Sequence, residues 1–464
     1  MQYSKNQILE VLITDIGDNG EGIGKYEGYT LFVKDAVCGD TVRAKLTKVK
    51  KNYAYARCEE IITASPDRAM PFCNEHRRCG GCQIQAMSYE TQLKYKENKV
   101  RNNLVRIGKL SPDVVDRAFE PIIGMEKPVR YRNKSQYPVG YDRKGNVTAG
   151  FYAGRTHDII PCIDCGIAPP EDAGILEAVL GHVNTYQIKP YEETTGQGIV
   201  RHVLIRKGFN TGRIMVCLVV RHDKGDGSYI PHQEELIGLL SAVPGVTSIC
   251  VSVNNENTNV IMGREIHTLW GSDTITDTLF GKRFEISPLS FYQVNPVQTE
   301  KLYSAAVEFA DLSGDEEVWD ICCGIGTISL CMADRAKTVH GLEIVPEAIE
   351  DAKKNAAANG IENVDFICAA AEEYLPSHKN EIRADAVVLD PPRKGMEEEA
   401  LSVIADMDPK RIVYVSCDSA TLSRDIRFLT DRGYSVERIR CVDMFPHTVH
   451  VETVVRLSRG DIDR

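Results

Sequence analysis

Two sets of thiols, one glycine turn and a few carboxylates are the parts of this 464-residue chain that could do chemistry. Cys73, Cys79 and Cys82 stand as C-x5-C-x2-C in PFCNEHRRCGGCQ, where Gly80 and Gly81 let Cys79 and Cys82 turn onto one centre. Three thiolates so close together want a fourth, and CIDC offers Cys162 or Cys165. Zinc takes four such ligands tetrahedrally, and an iron–sulfur cluster also takes four; no simple spacing rule separates the two. The C-x3-C-x2-C radical triplet does not match, because the first spacing here is five. Unliganded thiols are the bland alternative.

The second constellation is WDICCGIGTISL, where a strand ends at Asp320 and Gly324 and Gly326 open a turn into a helix. Such glycines let backbone approach a nucleotide-like ligand closely. The third glycine of the dinucleotide fingerprint would fall at Ser329, and Glu343 lies about 20 residues on, where an acid can accept both ribose hydroxyls. S-adenosylmethionine, with a ribose and adenine but no pyrophosphate, fits that departure; a purely structural glycine turn is the alternative. Asp390 ends AVVLD before Pro391 and Pro392, and Cys417 ends RIVYVSC. With Asp320 and Glu343 these make four polar candidates at the carboxyl ends of predicted parallel strands, the edge where open α/β sheets bind ligands. Glu452 sits inside the apolar run VHVETVV, where an unpaired carboxylate is costly to bury. A structural salt bridge is its plainer reading.

The elements that would position these residues read as three parts: 1–62, 63–284 and 285–464. The first holds about five short β-rich runs separated by glycine turns, as in an OB-like barrel. Lys45, Lys48, Lys50, Lys51 and Arg57, interleaved with Tyr53 and Tyr55, offer phosphate contacts and stacking faces there. TASPDRAMP breaks the pattern, and SYETQLKYKENKVRNNLVRIGK follows as a helix with Leu93, Val100, Leu104 and Ile107 on one face. Most of its cations read as a solvated face. Strands such as RYRNKSQYPVGY and IVRHVLIRK make the middle part α+β. From about 285, strand–helix alternation through to HVETVV predicts a doubly wound, Rossmann-like sheet.

Composition narrows the class. At 43% hydrophobic and 26% charged, the chain is an ordinary globular one, with no run near the ~20 apolar residues of a membrane span. The start MQYSKNQILEVLITDIG lacks a basic-then-apolar leader, so a cytoplasmic protein is expected. Fifteen cysteines, an odd number, argue against a secreted disulfide framework. The net charge of −11 hides an asymmetry: 64–158 carries seventeen basic against ten acidic residues, and 159–464 carries twenty-nine against forty-seven. A local polyanion site suits that distribution. Arg132, Asn133 and Lys134 in YRNKSQY are candidates for it, with internal salt bridges as their alternative.

SPLSFYQVN, DICCGIGTISL, LDPPRKG, VSCD and DMFPHTVHVETVV, taken with the four-cysteine set and the N-terminal barrel, resemble the S-adenosylmethionine-dependent RNA uracil-5-methyltransferases along nearly the whole chain. The barrel looks like the TRAM domain of that family. TRAM together with the cysteines points to the branch acting on large-subunit, 23S ribosomal RNA. The resemblance implies Cys417 as nucleophile, Glu452 as base, and Gln293, Glu343 and Asp390 as cofactor contacts. Cys322 stands where the family usually has an aromatic lining the cofactor site. A [4Fe–4S] cluster is implied on Cys73, Cys79, Cys82 and Cys165, with Cys162 as a possible substitute. It is expected to be structural.

The chemistry accounts for these residue types independently. Carbon-5 of uracil is too weak a nucleophile to take a methyl group unaided, and a thiolate adding at carbon-6 turns the ring into an enolate. A base must then remove the carbon-5 proton, and the target uridine must be unstacked or single-stranded. The expected enzyme is a monomer methylating a 23S ribosomal RNA uridine. The same chemistry on tRNA, a catalytically silent RNA-binding assembly factor and an iron–sulfur oxidoreductase using a dinucleotide are the alternatives.

Overall fold

Alternation of apolar and charged residues in the first 63 positions makes five strands that each turn one face inward. The computed structural model, which describes residues 3–154, 156–222 and 228–460, closes them into a barrel. The strands run Ile8–Ile16, Gly22–Tyr26, Tyr29–Lys34, Tyr53–Thr63 and Thr41–Val49 around the circumference. Leu31, Val42, Ala44 and Leu46 fill its interior without exposure. On the outer face the parallel register sets Phe32 beside Tyr55 and Lys34 beside Arg57. The rings of Phe32, Tyr53 and Tyr55 lie 5.6–5.7 Å apart.

The middle of the chain builds a seven-stranded sheet in the order 265–271, 246–253, 214–220, 200–207, 134–141, 147–152 and 159–161. Its central strand Ile214–Val220 is buried along its whole length, as a strand covered on both faces must be.

The last part is an eight-stranded sheet. Five parallel strands come first, Val364–Cys368, Thr338–Glu343, Glu317–Ile321, Ala386–Leu389 and Arg411–Ser416. Next stand Glu452–Arg459, antiparallel to Arg411–Ser416, and its hairpin partner Tyr434–Val442. The expected strand–helix alternation therefore ends in a hairpin. The edge is completed from far away: Phe119–Ile123, from the segment read as middle domain, pairs parallel with Tyr434–Val442. No local pattern announces such a partner, because the two strands are joined only by the fold.

The helix Tyr89–Arg106 packs on this part too, its Asn103 Nδ2 donating to Ser419 Oγ at 2.8 Å. Its buried face is Gln92, Lys96, Val100 and Leu104, a clean i, i+4, i+8, i+12 stripe, while Ile107 is exposed. The stripe read from the sequence was thus rotated, and Lys96 is not solvated. It is fully buried and paired with the equally buried Asp443. Tyr89 donates to the other oxygen of that carboxylate at 2.8 Å. Among the described residues no helix is long and apolar enough to cross a membrane.

Removing one partner of a buried ion pair strands the other charge. Lys96→Met is therefore expected to cost about 3–5 kcal/mol of stability, read as a lowered urea midpoint, whereas Lys94→Met on the exposed face should move it by under about 0.5 kcal/mol.

Candidate active site

The hairpin reversal brings the two principal candidates together. Strands Arg411–Ser416 and Glu452–Arg459 pair antiparallel with Ser416 opposite Thr453. Continuing that register by one residue sets Cys417 across from Glu452, at the carboxyl edge of the parallel strands. An antiparallel strand that starts where its neighbour ends thus delivers its first side chain to the ligand-binding edge. Glu452 also faces Val442 across the hairpin and is only 3% exposed. Cys417 is half-buried between the strand end and the helix Ser419–Thr430. That helix is capped by Asp418, whose carboxylate accepts from Ala420 and Thr421 N–H at 2.9 and 3.2 Å.

Desolvation dominates the ionisable groups that follow. Burial pushes the Glu452 carboxyl up to about 8, with the neighbouring Asp390 adding to the rise and Arg393 opposing it. Asp390 is raised to about 7 by burial and by Asp320. Burial and Glu452 push the Cys417 thiol up to about 11, against the pull of Arg393. A helix N-terminus favours thiolate, but desolvation outweighs it here. Arg393, exposed in the DPPR turn, is the cation common to both reactive groups, and sequence reading assigned it no role.

The cofactor candidates occupy the same edge. Glu343 accepts from Gly324 N–H at 3.2 Å and from Val345 N–H at 3.0 Å, which fixes its carboxylate beside the glycine turn. Gly326, at φ 78°, begins the following helix in the left-handed region open to glycine. Asp320 is fully buried; Ser329 donates to one oxygen, and the other has no partner. Such an orphan acceptor suits a ligand that brings a donor or a positive charge, as the methionine end of S-adenosylmethionine does. Cys322, at φ 67°, lies among Glu343, Asp390 and Asp320, and burial with these charges raises its thiol to about 12. Gln293 reaches the site through the Tyr303 hydroxyl, which it hydrogen-bonds and which lies close to Asp390. Asn133 holds that segment, its amide donating to Gln293 O at 2.9 Å and its N–H to Val294 O at 2.8 Å. This is a structural role in place of the RNA contact read from YRNKSQY.

The five cysteines of the first constellation line one cavity of about 260 Å³, together with Arg132, Lys134 and Phe72. Among the described residues, no three His, Cys, Asp or Glu side chains converge closely enough to hold a single metal ion. A donor set of thiols around one cavity is chemically suited to a group held by thiolates, zinc or an iron–sulfur cluster alike. Cys165 is pulled toward thiolate by the hydrogen bond from Cys162 and by the amides of Ile167 and Ala168.

What sequence reading missed is the scaffold of the loop between Val442 and Glu452. Gln298, Asn295, Lys96 and Tyr131 donate in turn to the carbonyls of Asp443, Met444, Phe445 and Pro446, at 2.9–3.1 Å. His447 adopts φ 69°, a conformation that costs roughly 1–3 kcal/mol and persists only where its surroundings impose it. The 92/96/100/104 spacing was the available signal for Lys96; nothing local marks the others.

Residues 273–460 match the family described as tRNA (Uracil-5-)-methyltransferase, and residues 4–58 match the TRAM domain. An uncharacterised RNA methyltransferase of Clostridium acetobutylicum is 48% identical over 459 residues, covering 98% of each chain. The chain belongs to the RNA uracil-5-methyltransferase family. Another uncharacterised RNA methyltransferase, from Listeria innocua, is 46% identical with the same coverage. The fold is that of the Pyrococcus abyssi tRNA (uracil-54, C5)-methyltransferase, solved in complex with S-adenosyl-L-homocysteine. The TM-score is 0.77 at 24% identity, over 97% of this chain and 99% of that one.

Two outcomes follow for this methyltransferase. The folded state holds a proton on Glu452 between the ordinary 4.5 and about 8, a window in which the unfolded chain does not, so stability falls as pH rises through it. Glu452→Gln should therefore raise the melting temperature at pH 8.5 by several degrees and change it little at pH 4.5. Because the Glu452 charge raises the Cys417 thiol, the same variant should shift the pH profile of iodoacetamide labelling at Cys417, read by mass spectrometry, to lower pH.

Proposed function

We propose that the chain transfers a methyl group from S-adenosylmethionine to carbon-5 of a uridine in 23S ribosomal RNA through a covalent Cys417 adduct. The placement of Cys417 opposite Glu452 on the ligand edge of the sheet, implied by the Ser416–Thr453 register, is the observation that carries this reading. Cys417, as thiolate, forms a bond to carbon-6, and the ring electrons move toward carbon-5. Carbon-5 bonds to the methyl group that a bound sulfonium would supply, and the methyl–sulfur bond breaks with its electron pair going to sulfur, which leaves as the neutral thioether. Glu452 takes the carbon-5 proton; the electrons restore the carbon-5–carbon-6 double bond and the thiolate departs. A base so placed contributes typically ~10²–10⁴-fold. Its high proton affinity in the free enzyme suits a group that must accept from carbon.

Gln293, Glu343 and Asp390 are the cofactor contacts in this reading, with Asp320 offering its free oxygen. Cys322 lines the pocket without a stacking ring. Cys73, Cys79, Cys82 and Cys165 would hold a [4Fe–4S] cluster, which supplies shape to the surface beside the RNA and no electron to the reaction. Phe32, Tyr53 and Tyr55, flanked by Lys34 and Arg57, give the barrel a face for stacked bases and phosphates. A tRNA uridine is the second reading. The likeness of the whole chain to a solved tRNA enzyme favours it, and the barrel does not by itself separate the two.

Methyl transfer from labelled S-adenosylmethionine to undermodified ribosomal RNA and to unmodified tRNA, with the position mapped, tests the proposal. Label at carbon-5 of one or two uridines in the large-subunit RNA is expected. Label confined to tRNA replaces the substrate and keeps the chemistry; label in neither, from protein with its cluster intact, overturns the proposal in favour of a silent RNA-binding protein. Cys417→Ala should lose turnover while still retaining S-adenosylmethionine.

A further inference from the structure

Gln92 and His447 sit at the junction of the three functional segments, and their geometry is unusually complete. Gln92 is 1% exposed in the helix Tyr89–Arg106. Its Oε1 accepts from His447 N–H at 2.9 Å, and its Nε2 donates to His447 Nδ1 at 3.2 Å and to Met87 O at 3.0 Å. An amide nitrogen only donates, so Nδ1 must accept. The imidazole proton then lies on Nε2, which donates to Pro128 O at 2.8 Å. A neutral ring in one tautomer is thus held on both nitrogens, at a residue in the left-handed region. Five residues further on lies Glu452. The cysteine-bearing segment holds the same turn: Ile84 N–H donates to His447 O at 3.1 Å, and the Phe72 ring meets the imidazole edge-on at 4.9 Å.

The geometry points to Gln92 as a positioning residue for the general base: through the amide clamp on His447 it sets where the start of the strand Glu452–Arg459 places its carboxylate. This rests on the reading of Cys417 as nucleophile and Glu452 as base. The amide touches neither cofactor nor uridine. A shift of the base by 1 Å can cost about 10²-fold in rate, while the thiolate, carried on another strand, keeps its place. Proton removal is slowed and adduct formation is not.

Gln92→Leu separates these steps. On ordinary RNA its kcat should fall about 10²-fold, with KM for RNA and retention of labelled S-adenosylmethionine within about twofold of wild type. The methylated protein–RNA adduct should accumulate on denaturing gels. On RNA carrying 5-fluorouridine, where no carbon-5 proton is available to remove, trapping should proceed at the wild-type rate. Turnover equal to wild type, or adduct formation and turnover lost in equal proportion, overturns the positioning role. Where Gln92→Leu fails to fold, Gln92→Glu, which keeps the size and the acceptor for His447 N–H but loses the donor, is judged by the same two readouts. Absence of a trapped Cys417 adduct in the wild-type protein would instead overturn the reading on which the inference rests.

Discussion

A peptide carbonyl shut away from water needs a donor, and the turn from Asp443 to Val449 meets that need with groups drawn from several separate parts of the chain. The helix at 89–106 supplies Lys96 and Lys99, the start of the helix Pro296–Ala310 supplies Asn295 and Gln298, Tyr131 comes from the segment just ahead of the middle-sheet strand 134–141, and the cysteine segment supplies Ile84 N–H. Had this turn been solvated, water could have served and the parts could have drifted. Because it is buried, each donor must be in place, and the turn joins the barrel side, the cysteine cavity and the methyltransferase sheet.

The second organising effect is desolvation at the sheet edge. Asp320, Asp390 and Glu452 are acids taken out of water without a matching set of cations, so each holds its proton more tightly than usual. A cation such as a sulfonium arriving among these carboxyls would favour their ionised forms and offset the desolvation that raises them. Cys417 shares that environment, and burial with the Glu452 charge favours its thiol form. Arg393, exposed in the DPPR turn, is the cation within reach of both reactive groups, and anything that buries it would strengthen its hold on them.

Much of this could be read from the chain before any coordinates. Strand ends marked by Asp320, Glu343, Asp390 and Cys417 were visible because apolar runs stop abruptly there, and the barrel was visible because its glycine turns are local. The antiparallel course of Glu452–Arg459 was not, since an apolar run has no direction. The buried face of the helix at 89–106 was misplaced for a related reason: its stripe begins with Gln92 and Lys96, and a polar side chain looks solvated until its partner, some 350 residues away, is known. That Cys162 and Cys165 both line the cavity of Cys73, Cys79 and Cys82 is likewise a matter of three-dimensional placement that C-x5-C-x2-C does not encode.

The strand Phe119–Ile123 carries one more implication, for the order in which the molecule is made. Its partner Ile439 lies about 320 residues downstream of Phe119. At ~5–20 residues per second of synthesis, the finished strand waits on the order of 15–60 s for its neighbour to emerge. Throughout that interval Lys96 in the segment 89–106 is without its partner Asp443. The eight-stranded sheet therefore cannot be completed as a C-terminal unit independent of the N-terminal half. It closes last, when the hairpin comes off the ribosome, and a nascent chain stalled before residue 434 would leave Phe119–Ile123 without its partner strand.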